Sequence, residues 1–95
     1  MIKINKPMKK LINLNQKLKN FKGQEENILL SEIVAELIST EMKGNALKLF
    51  GWMQELVKSG QLELDESDFL IFKKLIEETD RTSILVKGQI LSIIF

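Results

Sequence analysis

Gln61-Leu62-Glu63-Leu64-Asp65-Glu66-Ser67-Asp68-Phe69 is the stretch that decides the fold. Its first four residues alternate polar and apolar, the period of a half-buried strand. Asp65 then stands as a helix N-cap, and Asp68 follows three residues later, a variant of the capping box. Leu64 precedes the cap and Phe69 sits four residues beyond it, the spacing of a hydrophobic staple. A short strand thus runs straight into a helix. That helix turns Phe69, Phe72, Leu75 and Ile76 inward, carries Ile71 on a flank and points Leu70 away. Glu77 and Glu78 fall at the negative pole of its dipole, so the end at Thr79-Asp80 should fray.

Upstream, residues 45–59 read as a helix. Ala46, Leu49, Phe50, Met53, Leu56 and Val57 form a broad buried face, and Gly60 occupies the left-handed position after the last turn. Leu47 and Trp52 lie off that face on opposite flanks. A helix that is apolar on three sides is central in its domain. An earlier helix starts at Ser31, read as its cap, with Glu32 in the first turn and a stripe of Ile33, Val34, Leu37 and Ile38. It stops near Met42, and Gly44-Asn45 breaks the chain.

Residues 11–21 place Ile12, Leu14 and Leu18 on one parity between polar neighbours. They read as one strand or a small hairpin ended by Gly23, and they are expected to pair with residues 62–64. Downstream, Ile84, Leu85, Val86, Ile90, Leu91, Ile93, Ile94 and Phe95 are eight apolar residues in twelve. A helix interrupted at Gly88 is expected there. A final strand over residues 90–95 is the alternative, because β-branched residues dominate it. The expected fold class is mainly α, of the α+β kind. Three to four helices surround one core, with a small N-terminal β strand or hairpin. Residues 1–10 form a basic leader and residues 11–95 a single helical domain. Ninety-five residues suffice for one core.

The order of parts resembles a known group. Leu14-Asn15 lies in an N-terminal strand, Leu30-Ser31-Glu32-Ile33 opens a helix, Leu62-Glu63-Leu64-Asp65 leads into a helix from Asp68-Phe69, and Leu85-Val86-Lys87-Gly88-Gln89 stands near the end. This is similar to small uncharacterised proteins of tailed bacteriophages and prophages. The resemblance implies a viral accessory or assembly protein and brings no catalytic residues with it. It also implies a location in the bacterial host cytoplasm or in a virion.

Composition narrows the chemistry. The chain has no cysteine, histidine or tyrosine. Disulfides, thiolate metal sites and imidazole acid–base catalysis are therefore outside its repertoire. No motif for a cofactor or metal stands out, and the expectation is a non-enzymatic protein without cofactor. The acids at Asp65, Glu66 and Asp68 lack the glycine and distal glutamate of a calcium loop, and capping accounts for them. Lys73 and Lys74 with Glu77 and Glu78 have the i, i+4 spacing of solvated ion pairs. No apolar run is long enough to span a bilayer or to act as a secretory signal, so a soluble, cytoplasmic protein is expected.

Two sets of residues are candidates for binding. The first is basic. Residues 1–22 hold seven lysines, Lys3, Lys6, Lys9, Lys10, Lys17, Lys19 and Lys22, and no acid. The rest of the chain holds the other seven basic residues and all thirteen acids. This arm could meet a polyanion, with weak, salt-sensitive and non-specific binding, since Arg81 is the only arginine. It could equally lie against the chain's own acidic body. The second set is apolar: Leu47, Trp52 and Leu70 off the helix faces, and Ile90, Ile93, Ile94 and Phe95 in the tail. Exposed large apolar groups anchor interfaces, so a protein partner or a second copy of the chain is expected there. The competing reading is that the tail packs back as the fourth core element.

Overall fold

The computed structural model describes residues 9–94. The strand–cap–helix unit forms as its sequence predicts. Strand β4 (Gln61–Leu64) runs into helix α3 (Glu66–Glu78) through Asp65 alone. The Asp65 carboxylate accepts the Asp68 backbone N–H at 2.8 Å. Leu64 is buried, and Phe69 packs against the same core.

Strand β1 (Lys10–Asn13) pairs antiparallel with β4, with Lys10 opposite Leu64 and Ile12 opposite Leu62. This is the pairing that the sequence predicts. A one-residue slip would turn both Ile12 and Leu62 outward, so burial of these two side chains sets the register.

The N-terminal β region is larger than expected. Strand β2 (Lys17–Lys19) pairs with β3 (Glu25–Leu29), and the two form a hairpin of their own. Turn chemistry holds it. Asn20 Oδ1 accepts the backbone N–H groups of Lys22 and Gln24 at 2.9 and 3.0 Å. The Gly23 N–H reaches Asn20 O at 2.9 Å, with Gly23 at φ 82°. Gly23 thus makes the turn of a hairpin where a strand end is expected.

Helix α1 (Leu30–Ser39) follows β3 without a loop. Ser31 is not its cap: the N-cap is Leu29, which offers no side-chain bond. Backbone carbonyls do that work. Leu30 N–H donates to Gln16 O at 2.8 Å and Ser31 N–H to Leu14 O at 2.9 Å. Two of the donors that a helix start leaves orphaned are satisfied by the segment between β1 and β2.

Helix α2 (Ala46–Ser59) has the expected ends. Asn45 Oδ1 accepts the Lys48 N–H at 3.1 Å, and Gly60 closes the helix at φ 74°. Its buried face is not the expected one. Leu49, Trp52 and Leu56 are buried, whereas Phe50 and Val57 are exposed. At 100° per residue the helix is rolled by roughly 70° from the expected setting. The reason is Trp52, the side chain with the most apolar surface on the helix. Its ring meets Phe72 edge-on, with centroids 6.0 Å apart and planes at 72°.

Helix α4 (Ile84–Ile94) runs unbroken through Gly88. The interruption at Gly88 and the alternative strand over residues 90–95 both give way to burial of Val86, Ile90 and Ile94, which recur at i, i+4, i+8 on one helical stripe. Lys10 Nζ donates to Ile94 O at 2.6 Å and lies 4.3 Å from the centroid of the Phe69 ring. The Gln89 side-chain amide takes both backbone groups of Lys19, accepting its N–H at 2.8 Å and donating to its C=O at 2.7 Å. That clasp fastens the hairpin to α4 and occupies backbone groups that a strand edge would otherwise expose.

The lone arginine is structural. Arg81, in the link between α3 and α4, donates to Leu37 O at 3.0 Å and to Glu41 Oε2 at 3.1 Å, and also reaches the Thr40 hydroxyl. It closes the C-terminal end of α1, where a cation also complements the helix dipole.

Candidate interaction surface

The helix starts account for the acidic cluster. The Asp65 carboxyl is held below the usual carboxylate range, first by the Asp68 backbone N–H and then by the Ser67 hydroxyl. A depressed carboxyl stabilises the fold above its unfolded pKa, and the contribution is lost as pH falls through the lowered value. Asn at this position still caps but does not titrate. Asp65→Asn is therefore expected to flatten the acid limb of a stability–pH curve measured by urea unfolding. An unchanged acid limb would show that Asp65 is not a source of that slope. Asp68 itself pairs with Lys48 at 2.6 Å, tying the start of α3 to the start of α2. Among the described residues, no group of three or more carboxylates is placed to hold a metal ion.

The two candidate binding sets fare differently. In the basic set, Lys3 and Lys6 lie outside the described residues. Lys9 is exposed ahead of β1, and Lys10 is spent on the end of α4 and the Phe69 ring. Lys17 and Lys19 are exposed on one face of β2, while Leu18 between them packs against the core. Lys19 stands across the hairpin from Glu25. Lys22 sits at the tip, its ammonium 5.7 Å from the Phe21 ring centroid. The basic strand is therefore answered in part by the acidic strand β3 beside it.

In the apolar set, the tail is core. Ile90 and Ile94 are buried, so these two cannot anchor an interface in this fold, and Ile93 is half-buried against the same cluster. Phe95 lies outside the described residues. Trp52 is corrected as well: it is 8% exposed and belongs to the core. Leu47 and Leu70 are exposed as expected, Leu47 at 85%.

The structure gathers a different group around Leu47. The corner between α1 and α2 opens a cleft of about 520 Å³. Met42, Leu47 and Phe50 line it and are 92%, 85% and 53% exposed, with Met53 half-buried behind them. A second cleft, of about 640 Å³, shares Glu41, Lys43, Gly44 and Leu49 with the first and extends to Ile71 and Leu75 on α3. Leu70 lines neither cleft. The corner is a continuous, mainly apolar recess with charged side chains at its rim.

Met42 and Phe50 are absent from the interface set expected from sequence. Met42 reads as the end of a stripe and Phe50 as part of a buried face. A signal was present: α2 carries large apolar groups on three sides, and a helix packed on one side only must leave some of them out.

The chain matches no family model, no curated protein and no solved structure. No helix among the described residues is long and apolar enough to cross a membrane.

Proposed function

We propose that this protein is a non-enzymatic binding and assembly protein that associates with itself through the apolar recess at the α1–α2 corner. The observation that carries the reading is the clustering of Met42, Leu47 and Phe50, all more than half exposed, around one cleft. Small domains rarely leave a contiguous group of large apolar side chains in water, and interfaces are anchored by such groups. The setting is the one that the short bacteriophage-like motifs imply, an accessory or assembly role in a host cell or a virion.

A polyanion-binding reading of the lysine segment is the alternative from another class. Lys17, Lys19 and Lys22 lie together on the hairpin with the exposed ring of Phe21. Glu25 and Glu26 on the paired strand weigh against it by lowering the local positive charge.

Salt separates the two. Apolar association changes little with ionic strength, whereas lysine–phosphate contacts weaken steeply. Sedimentation equilibrium of the purified protein is expected to show a reversible oligomer that persists from low to high salt. A monomer at every concentration, together with a salt-sensitive gel shift on nucleic acid, would replace the assembly reading with the polyanion one.

A further inference from the structure

Another cleft lies at the opposite end of the α1–α2 pair from the apolar recess. It opens where α1 begins and α2 ends, encloses about 540 Å³ and shares no lining residue with the recess. Ligand sites span about 300–1,000 Å³, so the space suits a small molecule.

Ser31 lines this cleft and is 2% exposed. Its backbone N–H is taken by Leu14 O, but its hydroxyl makes no hydrogen bond among the described residues. Every other serine of the chain uses its hydroxyl. Ser39, Ser59 and Ser92 donate to carbonyls of their own helices, Ser67 donates to Asp65, and Ser83 accepts from the Val86 N–H. Among the described residues, no fully enclosed side-chain polar atom lacks a partner. The unbonded Ser31 hydroxyl therefore meets open space, and the open space beside it is the cleft. A hydroxyl withdrawn from bulk water without a partner is unfavourable, and a bound molecule that takes it removes that cost.

The surroundings of Ser31 define what that molecule is. Asn15 lines the cleft with an uncommitted side-chain amide, which offers both a donor and an acceptor. Glu32 and Lys58 also line it, and neither makes an ion pair among the described residues. Ala35 and Leu56 are buried beneath them and give the cleft an apolar floor. A simple anion would meet Glu32, and a simple cation would meet Lys58. A molecule that carries both charges satisfies both side chains.

We propose that this cleft binds a small zwitterion, an amino acid or short peptide with a free ammonium, a free carboxylate and an apolar side chain. The ligand carboxylate lies toward Lys58 and its ammonium toward Glu32. The Ser31 hydroxyl and the Asn15 amide bond the polar groups between them, and the apolar side chain rests on Ala35 and Leu56. The site is separate from the recess, so it stands or falls independently of self-association.

Amide NMR titration of the full chain tests this with leucine, glycyl-leucine and diglycyl-leucine. N-acetylleucine and leucinamide serve as probes that carry one charge each. At least one of the three zwitterions is expected to shift the Ser31, Ala35 and Gly60 amides saturably at millimolar concentration, and to bind severalfold more tightly than either one-charge probe. The length that binds best distinguishes a free amino acid from a peptide. Ser31→Ala should weaken that binding about tenfold, the loss of a hydrogen bond to a charged group. Glu32→Gln and Lys58→Gln, both exposed, should weaken it severalfold without changing the fold. Ser31→Ala also reports in the absence of ligand: it removes an unpaired hydroxyl, so it should unfold at the same urea concentration as the wild type or higher. A clear loss of stability would mean that the hydroxyl has a partner inside the fold and would overturn the site. No saturable shift from any zwitterion would leave water as the only occupant and overturn it equally. Binding of N-acetylleucine or leucinamide as tight as that of the zwitterions would overturn the assigned ligand class.

Discussion

Phe72→Ala is expected to destabilise the fold by about 3–5 kcal/mol, the usual loss for truncating a fully buried aromatic ring. Phe72 has no exposed surface, lies on the inner face of α3 and meets Trp52 edge-on. Its removal takes away contacts from α2 and α3 at once and leaves a cavity against the indole. Domains of this kind have a total stability of about 5–15 kcal/mol, so the variant would be marginal at room temperature. Trp52 is the only tryptophan in the chain, so its fluorescence reports both unfolding and the change in its own surroundings. Phe72→Leu, which keeps much of the apolar volume, should lose clearly less. A Phe72→Ala loss below about 1 kcal/mol in urea unfolding would show that the Trp52–Phe72 contact is not the centre of the core.

Gly60→Ala is the second substitution with a large expected effect. Gly60 sits at φ 74°, and a Cβ there would lie 2.6 Å from Asn15 Cβ and 3.1 Å from Asn15 Cα. Two costs combine. An L-residue in the left-handed region loses about 1–2 kcal/mol, and forcing atoms into an occupied space typically adds about 1–3 kcal/mol. The neighbour that must yield is backbone as well as side chain. Gly60 O also accepts the Leu14 N–H at 2.8 Å, so a displaced strand loses that bond too. Gly23 provides the control. It has φ 82° but nothing within 4 Å of an added Cβ, so Gly23→Ala carries only the conformational cost. Gly60→Ala should therefore unfold at clearly lower urea than Gly23→Ala. Equal midpoints would mean that the segment after β1 is not pressed against the turn after α2.

These two positions mark what local chemistry specifies and what it does not. The β4–α3 unit was legible because its signals are local: alternation in Gln61–Leu64, a cap at Asp65 and a staple pair around it. The pairing of β1 with β4 was legible because Ile12 and Leu62 must share a buried face. The left-handed glycine at 60 was legible for the same local reason.

Elsewhere tertiary structure overrides local preference. Ser31 has the chemistry of a cap, but carbonyls from residues 14 and 16 reach the helix start first. Strand β3 shows no alternation, because its residues before Leu29 are exposed, and the side chain of Asn20 shapes the turn that creates it. Gly88 and the β-branched residues of α4 argue against a continuous helix by propensity, yet burial of three side chains on one stripe outweighs that preference.

The candidate surface was only partly legible. Leu47 and Leu70 stood out because they lie off any reasonable core face. Trp52, Ile90 and Ile94 were drawn into the candidate set by size and apolarity alone, and the core claimed them. Phe50 and Met42 were missed for the converse reason. The roll of α2 that buries Trp52 also brings Phe50 and Val57 out, and sequence periodicity cannot choose between two settings that bury similar numbers of apolar residues.

The charge asymmetry also takes a structural meaning. Lys10 closes α4, and Lys19 faces Glu25 across the hairpin. The first 22 residues' described lysines are thus partly absorbed into the fold, and the mainly apolar recess becomes the more distinctive surface.

The most direct test of that surface is sedimentation equilibrium of the wild type beside Leu47→Glu. Leu47 is 85% exposed, so the substitution should leave the unfolding temperature nearly unchanged. The wild type is predicted to form a reversible oligomer and Leu47→Glu to remain monomeric over the same concentrations. Association of the variant to the same extent as the wild type would contradict the assignment of the α1–α2 corner as the binding surface.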